Sequence, residues 1–180
     1  MKATGIVRRI DDLGRVVVPK EIRRTLRIRE GDPLEIFTDR EGEIILKKYS
    51  PIGELGDFAK QYADTLAQTS GHVVCITDQD QVIAVAGGAK KEFLNKPVGV
   101  QLEHIMQERD TVMAAAGEKN FVSVSEHDMN EYCGQVICPI IAEGDTIGCV
   151  IILSKDEKIG ETEKKLAVSA AGFLGRQMEQ

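Results

Sequence analysis

Residues 2–26, KATGIVRRIDDLGRVVVPKEIRRTL, carry the clearest structural signals in the first part of the chain. Two β-rich runs, Thr4–Ile10 and Arg15–Val18, flank a turn-forming Asp-Asp-Leu-Gly cluster, which predicts a hairpin. Pro19 then suits the first position of a helix, and we expect that helix to end at about Ile28. The opening stretch is therefore predicted to form strand, turn, strand and helix.

A second hairpin is predicted after the Glu30–Pro33 stop, with strands at Leu34–Thr38 and Glu43–Lys48. Fifty residues with about a dozen large apolar side chains cannot bury enough surface on their own. Intertwining two copies is a simple way to share one core. We therefore expect an obligate dimer through residues 1–50.

Charge is split along the chain, although the net charge of −6 argues against a nucleic-acid partner at first sight. Residues 1–50 hold 12 Lys+Arg against 9 Asp+Glu, a net charge of +3, and residues 51–180 carry −9. A basic head on an acidic body indicates a local surface for a polyanion. The acidic body would discourage non-specific DNA contact elsewhere.

Four cations of the predicted helix fall within about a quarter of its circumference at about 100° per residue: Lys20, Arg23, Arg24 and Arg27. Like charges at these spacings destabilise a helix, so an unpaired stripe favours polyanion binding over a merely solvated face. Arg8, Arg9 and Arg15 bracket the first turn and add to the surface. Arginine suits bidentate contacts to phosphates and guanine edges. No aromatic residue precedes Phe37, which favours duplex DNA over a stacked single strand.

This basic stretch resembles the DNA-binding domain of the AbrB family of transition-state regulators, over about residues 1–50. The resemblance implies a swapped-hairpin β-barrel formed by a dimer, with DNA-contacting arginines at Arg8, Arg15, Arg23 and Arg24. Arg9 stands where the regulator that names this family has lysine. Arg27 stands where it has glycine, so the proposed role of Arg27 comes from the stripe alone.

The second domain is expected at residues 56–180, after a linker at 51–55. Apolar residues from Ile52 to Thr69 recur at alternating spacings of three and four, which predicts a helix. That seam suits either core packing or a coiled coil. The remaining predicted elements are strands at His72–Asp78, Gln81–Ala86, Asn120–Ser125, Tyr132–Ala142 and Asp145–Ser154, and helices at Leu102–Ala116 and Glu161–Met178. They predict an α+β domain with an antiparallel sheet.

The run Val136–Leu153 resembles the closing hairpin of a GAF domain, and His72–Gly87 resembles its opening hairpin. The resemblance implies a sensory module that holds a small ligand between its sheet and the overlying helices and loops. The motif of the cyclic-nucleotide type and a convincing tetrapyrrole anchor are absent, so the ligand stays open and no cofactor is expected. The polar pocket candidates, for which a surface or loop role is the alternative, are Ser123, Ser125, His127 and Tyr132.

The pairing of an AbrB-like head with a GAF tail resembles regulators of forespore genes in endospore-forming bacilli. It implies a transcriptional activator or repressor that forms a homotetramer, with swapped-hairpin dimers at one end and GAF dimers at the other. Small residues of the last helix, from Ala167 to Gly175, would permit close approach between copies. Packing on the helix at residues 52–70 of the same chain is equally open.

Catalysis is not expected, because no Ser-His-Asp set or carboxylate pair has recognisable spacing. The four cysteines lack a C-x-x-C pair, so we expect buried, reduced thiols and no zinc site: Cys75, Cys133, Cys138 and Cys149. Two alternatives remain: an antitoxin that binds a toxin enzyme, and a GAF-type reductase of free methionine sulfoxide. No secretory signal or membrane-spanning run is present, which indicates the cytoplasm.

Overall fold

The computed structural model describes residues 5–50, 52, 56–125, 132–156 and 159–179. The chain divides into two compact units, Met1–Tyr49 and Ser50–Gln180. Within the described ranges, no helix combines the length and the apolar character that a bilayer crossing requires.

The first unit contains one short helix and one two-stranded sheet. Helix α1 spans Lys20–Thr25, and strands β1 and β2 span Leu34–Thr38 and Ile44–Lys48. The strands pair antiparallel, from Leu34 opposite Lys48 to Thr38 opposite Ile44. The second hairpin expected from the sequence is therefore present.

The first hairpin departs from the prediction, because residues 5–18 contain no strand. Only its tip is bonded in the described chain: the Asp11 N–H donates to the Arg15 carbonyl at 3.0 Å, and the Gly14 N–H donates to the Asp11 carbonyl at 3.0 Å. The expected strands are therefore wrong for residues 5–10 and 15–18 of a single copy, and Thr4, the first residue of the expected strand, lies outside the described residues. An extended segment becomes a strand only when a neighbouring backbone satisfies its N–H and C=O groups.

Helix α1 ends earlier than expected, because a left-handed residue closes it. The Ile28 N–H donates to the Arg23 carbonyl at 2.7 Å and the Arg27 N–H to the Arg24 carbonyl at 3.3 Å. Arg27 has a φ of 52°. This bonding pattern is a Schellman cap, in which the residue after the helix cap adopts the left-handed conformation. Arg27 consequently lies beyond the helix and outside the stripe predicted for it.

The second unit combines an antiparallel five-stranded sheet with helices on both of its faces, which is the α+β architecture predicted. Its elements are α2 (Gly56–Ser70), β3 (Val73–Asp78), β4 (Val82–Ala86), α3 (Lys90–Phe93), α4 (Val100–Glu108), β5 (Val112–Ala115), β6 (Gly134–Ala142), β7 (Asp145–Ser154) and α5 (Glu161–Gln177). The order of the strands in the sheet is β4-β3-β7-β6-β5.

Two apolar clusters cover the two faces of the sheet. Helices α2 and α5 pack on one face, where Ile52, Ala59 and Leu66 are buried against strand residues such as Ile140. Helices α3 and α4 pack on the other face. These three residues of the apolar seam thus pack into the core of their own domain. For them, core packing is confirmed over a coiled coil.

Two predicted elements of this unit are wrong. The helix expected over Leu102–Ala116 ends at Glu108, because Arg109 adopts a φ of 61° and its N–H caps the Ile105 carbonyl at 3.1 Å. Val112–Ala115 pairs instead with β6, since strand pairing outweighs a helical spacing of apolar residues. The strand expected over Asn120–Ser125 reduces to a single bridge between Val98 and Ser125 in the described chain.

Candidate nucleic-acid interface and sensory pocket

The tip of the first hairpin is organised by one carboxylate. Asp11 Oδ1 accepts the N–H groups of Leu13 and Arg15 at 3.0 and 2.8 Å, and Asp11 Oδ2 accepts the Arg15 Nε–H at 2.7 Å. The backbone hydrogen bond from Arg15, followed by its side-chain bond, lowers the pKa of Asp11 below its usual value. Asp11 is therefore ionised at neutral pH and holds the Arg15 guanidinium by one edge.

The predicted DNA-contacting residues are mostly accessible. Arg8, Arg9, Arg15, Lys20 and Arg24 are exposed, and Arg23 is half-buried. Glu21 is the acidic residue in the first turn of α1. In the described part of this unit, Arg15 pairs with Asp11, whereas Lys20, Arg23 and Arg24 form no ion pair. The helix thus presents three cations that nothing in residues 5–50 neutralises.

Arg27 differs from the other predicted DNA contacts of the stripe because it lies after the end of α1. It is half-buried, and its carbonyl accepts the Lys48 ammonium at 3.1 Å. Lys48 also pairs with Asp32 at 3.1 Å. Lys48, the last residue of β2, thus holds the backbone of Arg27. The sequence had predicted Arg27 as the last cation of the helical stripe.

Many large apolar side chains of the first unit are exposed in a single copy. Pro19 is the one residue among 5–49 that is buried. The exposed apolar residues are Ile6, Val7, Ile10, Leu13, Val16, Val17, Leu26, Ile36, Phe37, Ile44, Ile45 and Leu46. One copy of this unit therefore has no core of its own.

Two of the four predicted pocket residues line one cleft in the second unit. Ser123 and Tyr132 border an open cleft of about 310 Å³, together with Gln101, Glu118 and Phe121. Ser125 is buried but does not line that cleft, and His127 lies outside the described residues. The structure brings Ser123 and Tyr132 together at one cleft, which Ser125 does not line.

A buried glutamine was missed by the sequence analysis. Gln135 on β6 is fully buried; its Nε2 donates to the Asn120 carbonyl at 3.1 Å, while Oε1 has no partner in the described chain. The buried Ser125 hydroxyl likewise has none there. The available signal was a glutamine at the start of an otherwise apolar strand, because a buried polar group requires a partner.

A wider groove of about 980 Å³ lies between α4 and β5, and none of its lining was singled out from the sequence. Its wall combines apolar Val100 and Met113 with polar His104, Asn120 and Lys164. It opens along the edge strand of the sheet, since β5 is the last strand in the order.

The cysteines divide into one exposed and three buried thiols, so the expectation of four buried thiols is wrong for Cys133. Cys133 lies just before β6, and its thiol donates to the Lys155 carbonyl at 2.7 Å. Burial raises the pKa of Cys149 to about 12, and burial also raises the pKa of Cys138. Among the described residues, no group of three or more His, Cys, Asp or Glu side chains could hold a metal ion.

Comparison with known proteins finds a relative that contains both units. The family "Stage V sporulation protein T C-terminal, transcription factor" matches residues 54–179. Stage V sporulation protein T of Bacillus subtilis (strain 168) is 61% identical over 181 residues, which span all of both chains. The chain belongs to the stage V sporulation protein T family. It is a regulator of transcription in sporulation, as the sequence predicted.

The head of this family member is AbrB-like. Transition state regulatory protein AbrB of Bacillus subtilis (strain 168) is 67% identical over 51 residues, which are 28% of this chain and 52% of that protein. The family "Antidote-toxin recognition MazE, bacterial antitoxin" matches residues 7–54. The predicted resemblance of the first domain to AbrB is confirmed.

The tail of this stage V sporulation protein T homologue has a GAF-like fold. The GAF domain from an Acinetobacter phosphoenolpyruvate-protein phosphotransferase superposes with a TM-score of 0.58 at 14% identity, covering 69% of this chain and 81% of that one. A type II free methionine-R-sulfoxide reductase from Thermoplasma acidophilum gives 0.52 at 14% identity, covering 69% and 94%. At such identities the likeness concerns the fold alone, and the family is one of transcription factors.

Proposed function

We propose that this sporulation regulator binds duplex DNA through a swapped-hairpin barrel that two copies of its first unit form together. The observation that carries the proposal is the exposure of twelve large apolar side chains on a unit in which residues 5–49 include one buried residue. Among the described residues, positions 5–10 and 16–18 also pair with no strand in one copy. A second copy would supply that partner and cover the apolar surface.

The energetics favour such a dimer. Full burial of a large apolar side chain contributes roughly 1.5–3 kcal/mol. These side chains are 42–93% exposed in one copy, so covering all twelve in each of two copies would contribute on the order of tens of kcal/mol, more than an association cost of about 4–15 kcal/mol. The twelve side chains include residues of both hairpins, such as Val7 and Ile44. An intertwined core that draws on both hairpins fits this distribution better than an edge contact.

The DNA surface of the proposed barrel consists of the two copies' cations. The contacts we propose per copy are Arg8, Arg9, Arg15, Lys20, Arg23, Arg24 and Arg27. Phosphate contacts would supply most of the affinity, while DNA shape and flexibility would supply much of the selectivity. Doubling by symmetry would present two arginine sets to two half-sites.

The second unit would join dimers into a homotetramer through the outer face of α2 and α5. Phe58, Tyr62 and Phe173 stack there, with ring centroids 5.8 Å apart for Phe58 and Phe173 and 5.3 Å apart for Tyr62 and Phe173. Phe173 is 40% exposed and Val168 is 45% exposed. Exposed apolar side chains next to a stacked aromatic cluster are typical of an interaction surface.

We place the domains at residues 1–50 and 56–180, with the linker at 51–55, and the protein in the forespore cytoplasm.

A small ligand of the second unit would lie near Ser123, Ser125, His127 and Tyr132, with Gln135 as a further polar group. Thermal shift of the full chain against a metabolite panel tests this. A compound that raises the melting temperature of the wild type, and raises it less for Ser123→Ala, supports the site; no shift with any compound contradicts it.

Salt-dependent DNA binding tests the main proposal. If the barrel neutralises about 6–8 phosphates, the slope of log K against log salt is about −5 to −7. Replacing one phosphate-contacting cation per copy, in Arg24→Ala, is expected to make the slope shallower by about 2 for the dimer and to weaken binding at least about tenfold. The matched control is Arg40→Ala, which removes the same charge from an exposed turn of the same unit.

Two outcomes would overturn the proposal. A salt-independent affinity would exclude phosphate contacts as its main source. Equal losses for Arg24→Ala and Arg40→Ala would show that overall charge matters and the α1 surface does not. Sedimentation of the full chain tests the barrel separately, because a monomer at micromolar concentration would contradict it.

A second candidate follows from the match of residues 7–54 to an antitoxin family. In that alternative the chain would also bind a toxin enzyme. Co-purification from sporulating cells tests it, and the absence of any toxin-sized partner at stoichiometric level would dismiss it.

A further inference from the structure

We infer that Asp11 is a positioning residue for Arg15 and makes DNA binding by this regulator more selective. The inference rests on the proposed DNA-binding function of the first unit and extends it to an acidic residue. Asp11 itself would not contact DNA. It would set the direction of Arg15 and lower the attraction of the surface for phosphates in general.

The two carboxylate oxygens of Asp11 make separate sets of contacts. Oδ1 accepts two backbone N–H groups, from Leu13 and Arg15, and so builds the turn. Oδ2 plays no part in the turn, and its bond is to the Arg15 Nε–H at 2.7 Å. A residue that only shaped the turn would need one acceptor oxygen, as asparagine or serine supplies in such turns.

Holding Arg15 by Nε leaves the far side of its guanidinium available. The Arg15 side chain is 68% exposed, and the structure places Asp11 on its Nε edge. Its two Nη groups form a planar fork that suits a pair of acceptors, such as guanine O6 and N7 or two phosphate oxygens. Because the plane is set before DNA arrives, less side-chain freedom is lost on binding.

The charge of Asp11 has the opposite effect on non-specific binding. Residues 1–29 hold nine basic and three acidic residues, so each acid substantially lowers the local excess of positive charge. Non-specific binding depends almost entirely on charge, whereas specific binding adds directional contacts to bases. A carboxylate that directs Arg15 while opposing phosphates therefore increases the ratio of specific to random binding.

Asp12 provides a matched control for the test. It is the neighbouring acid, is exposed, and forms no bond with Arg15. Asp11→Asn and Asp12→Asn each remove one negative charge from the same turn. In Asp11→Asn the side-chain amide would retain an oxygen for the turn, but its NH₂ group would place donors against the Arg15 Nε–H.

The experiment measures anisotropy of two labelled duplexes with the full-length protein. One duplex carries a site that the wild type enriches from genomic fragments, and the other is a scrambled duplex of the same composition. Asp12→Asn is expected to strengthen binding to both by about 2- to 5-fold with an unchanged ratio. Asp11→Asn is expected to strengthen scrambled binding similarly and to lower the ratio by about 10-fold, within the range for one bidentate base contact.

A double-mutant cycle with Arg15→Ala separates positioning from a structural role. If Asp11 acts through Arg15, Asp11→Asn changes the ratio no further in the Arg15→Ala background. Equal ratios for Asp11→Asn and Asp12→Asn, or additive losses in the cycle, would overturn the inference. A wild type without preference for the enriched site, or Arg15→Ala with the wild-type ratio, would instead contradict Arg15 as a reader of DNA. A lower melting temperature for Asp11→Asn with an unchanged ratio would assign Asp11 to the turn alone.

Discussion

Ser50 donates a hydrogen bond from its hydroxyl to Oδ2 of Asp78, with the two oxygens 3.0 Å apart. Asp78 Oδ1 accepts the N–H groups of Asp80 and Gln81 at 2.8 and 2.7 Å and so closes the turn between β3 and β4. Two residues later in the chain, Ile52 is fully buried in the core. Ser50 and Ile52, which begin the second unit, are thus both bound to the rest of that unit, Ser50 by its hydrogen bond to β3 and Ile52 by burial in the core.

Removing Ser50 or Asp78 from this bond is expected to lower the stability of the second unit, and the loss should be larger for Asp78. Ser50→Ala loses one hydrogen bond and should lower the free energy of unfolding by about 1 kcal/mol. Asp78→Ala loses three bonds at a buried carboxylate and should cost about 3 kcal/mol or more. Urea unfolding of the full chain, followed by far-UV circular dichroism, measures both. Equal effects would mean that the turn contributes nothing beyond the bond to Ser50.

Two glycines of α5 are expected to respond in opposite directions to alanine. A Cβ on Gly175 would clash with the Ile141 carbonyl oxygen, whereas a Cβ on Gly172 would meet nothing within 4 Å. Gly175→Ala should therefore force the helix from the sheet and cost about 1–3 kcal/mol. Gly172→Ala should stabilise the helix by about 0.5–1 kcal/mol. Thermal unfolding tests the pair, and a stabilising Gly175→Ala would refute the close helix–sheet packing.

Gly172→Ala also bears on assembly. Gly172 is on the exposed side of α5 next to Phe173. A smaller assembly in sedimentation, with unchanged or higher thermal stability, would place Gly172 in the proposed interface between second units. An unchanged assembly would show that α5 needs small residues for its own sheet alone.

Arg27→Gly is expected to stabilise the first unit. Arg27 holds a left-handed conformation, which is unfavourable by roughly 1 kcal/mol for a residue with a Cβ. Glycine is the usual residue at this position of a Schellman cap. The control, Arg24→Gly, removes the same side chain inside α1 and should destabilise by about 1 kcal/mol. Unfolding of the full chain separates the two signs.

The same variant tests Arg27 as a DNA contact. If its side chain contacts DNA, Arg27→Gly weakens binding while it raises stability. Unchanged affinity in the anisotropy assay would remove Arg27 from the proposed surface and leave it a purely conformational role.

Thiol reactivity is expected to single out Cys133. Among the described residues it is the exposed cysteine, whereas Cys75, Cys138 and Cys149 are buried. A disulfide reagent at pH 8 should label one thiol quickly, and Cys133→Ser should abolish that fast phase. Two or more fast thiols in the native wild type would reopen the reductase alternative, because catalytic thiols react readily.

Cys149 is expected to make the second unit less stable at alkaline pH. Its folded pKa of about 12 lies above the unfolded value of 9.0, so between these values the folded state keeps a proton that the unfolded state has lost. Stability should therefore fall as pH rises above about 9, by up to about 1.4 kcal/mol per pH unit. Cys149→Ser does not titrate and retains a hydroxyl beside Thr77. A slope shared by both proteins would assign the effect to other groups.

Local patterns predicted the second hairpin, the strands β3, β4, β6 and β7, and the last helix, because hydrophobic periodicity and turn residues act over a few positions. Val112–Ala115 could not be assigned that way. Its apolar spacing fits a helix, and only the pairing with β6 makes it a strand. Gln135 was missed for a related reason, since it is buried where it bonds the Asn120 carbonyl, a partner fifteen residues away in the chain.

The amino-acid sequence was sufficient to predict a basic AbrB-like head, an acidic GAF-like tail and the family of the chain. Charge, composition and short motifs carry that information residue by residue. The folded chain was needed to show that Arg27 closes α1 in a left-handed conformation, that Asp11 bonds the Arg15 side chain, and that Cys133 is exposed while Cys149 is buried. Each of these depends on a hydrogen bond or on a neighbouring element, and such contacts exist only once the backbone has taken its three-dimensional course.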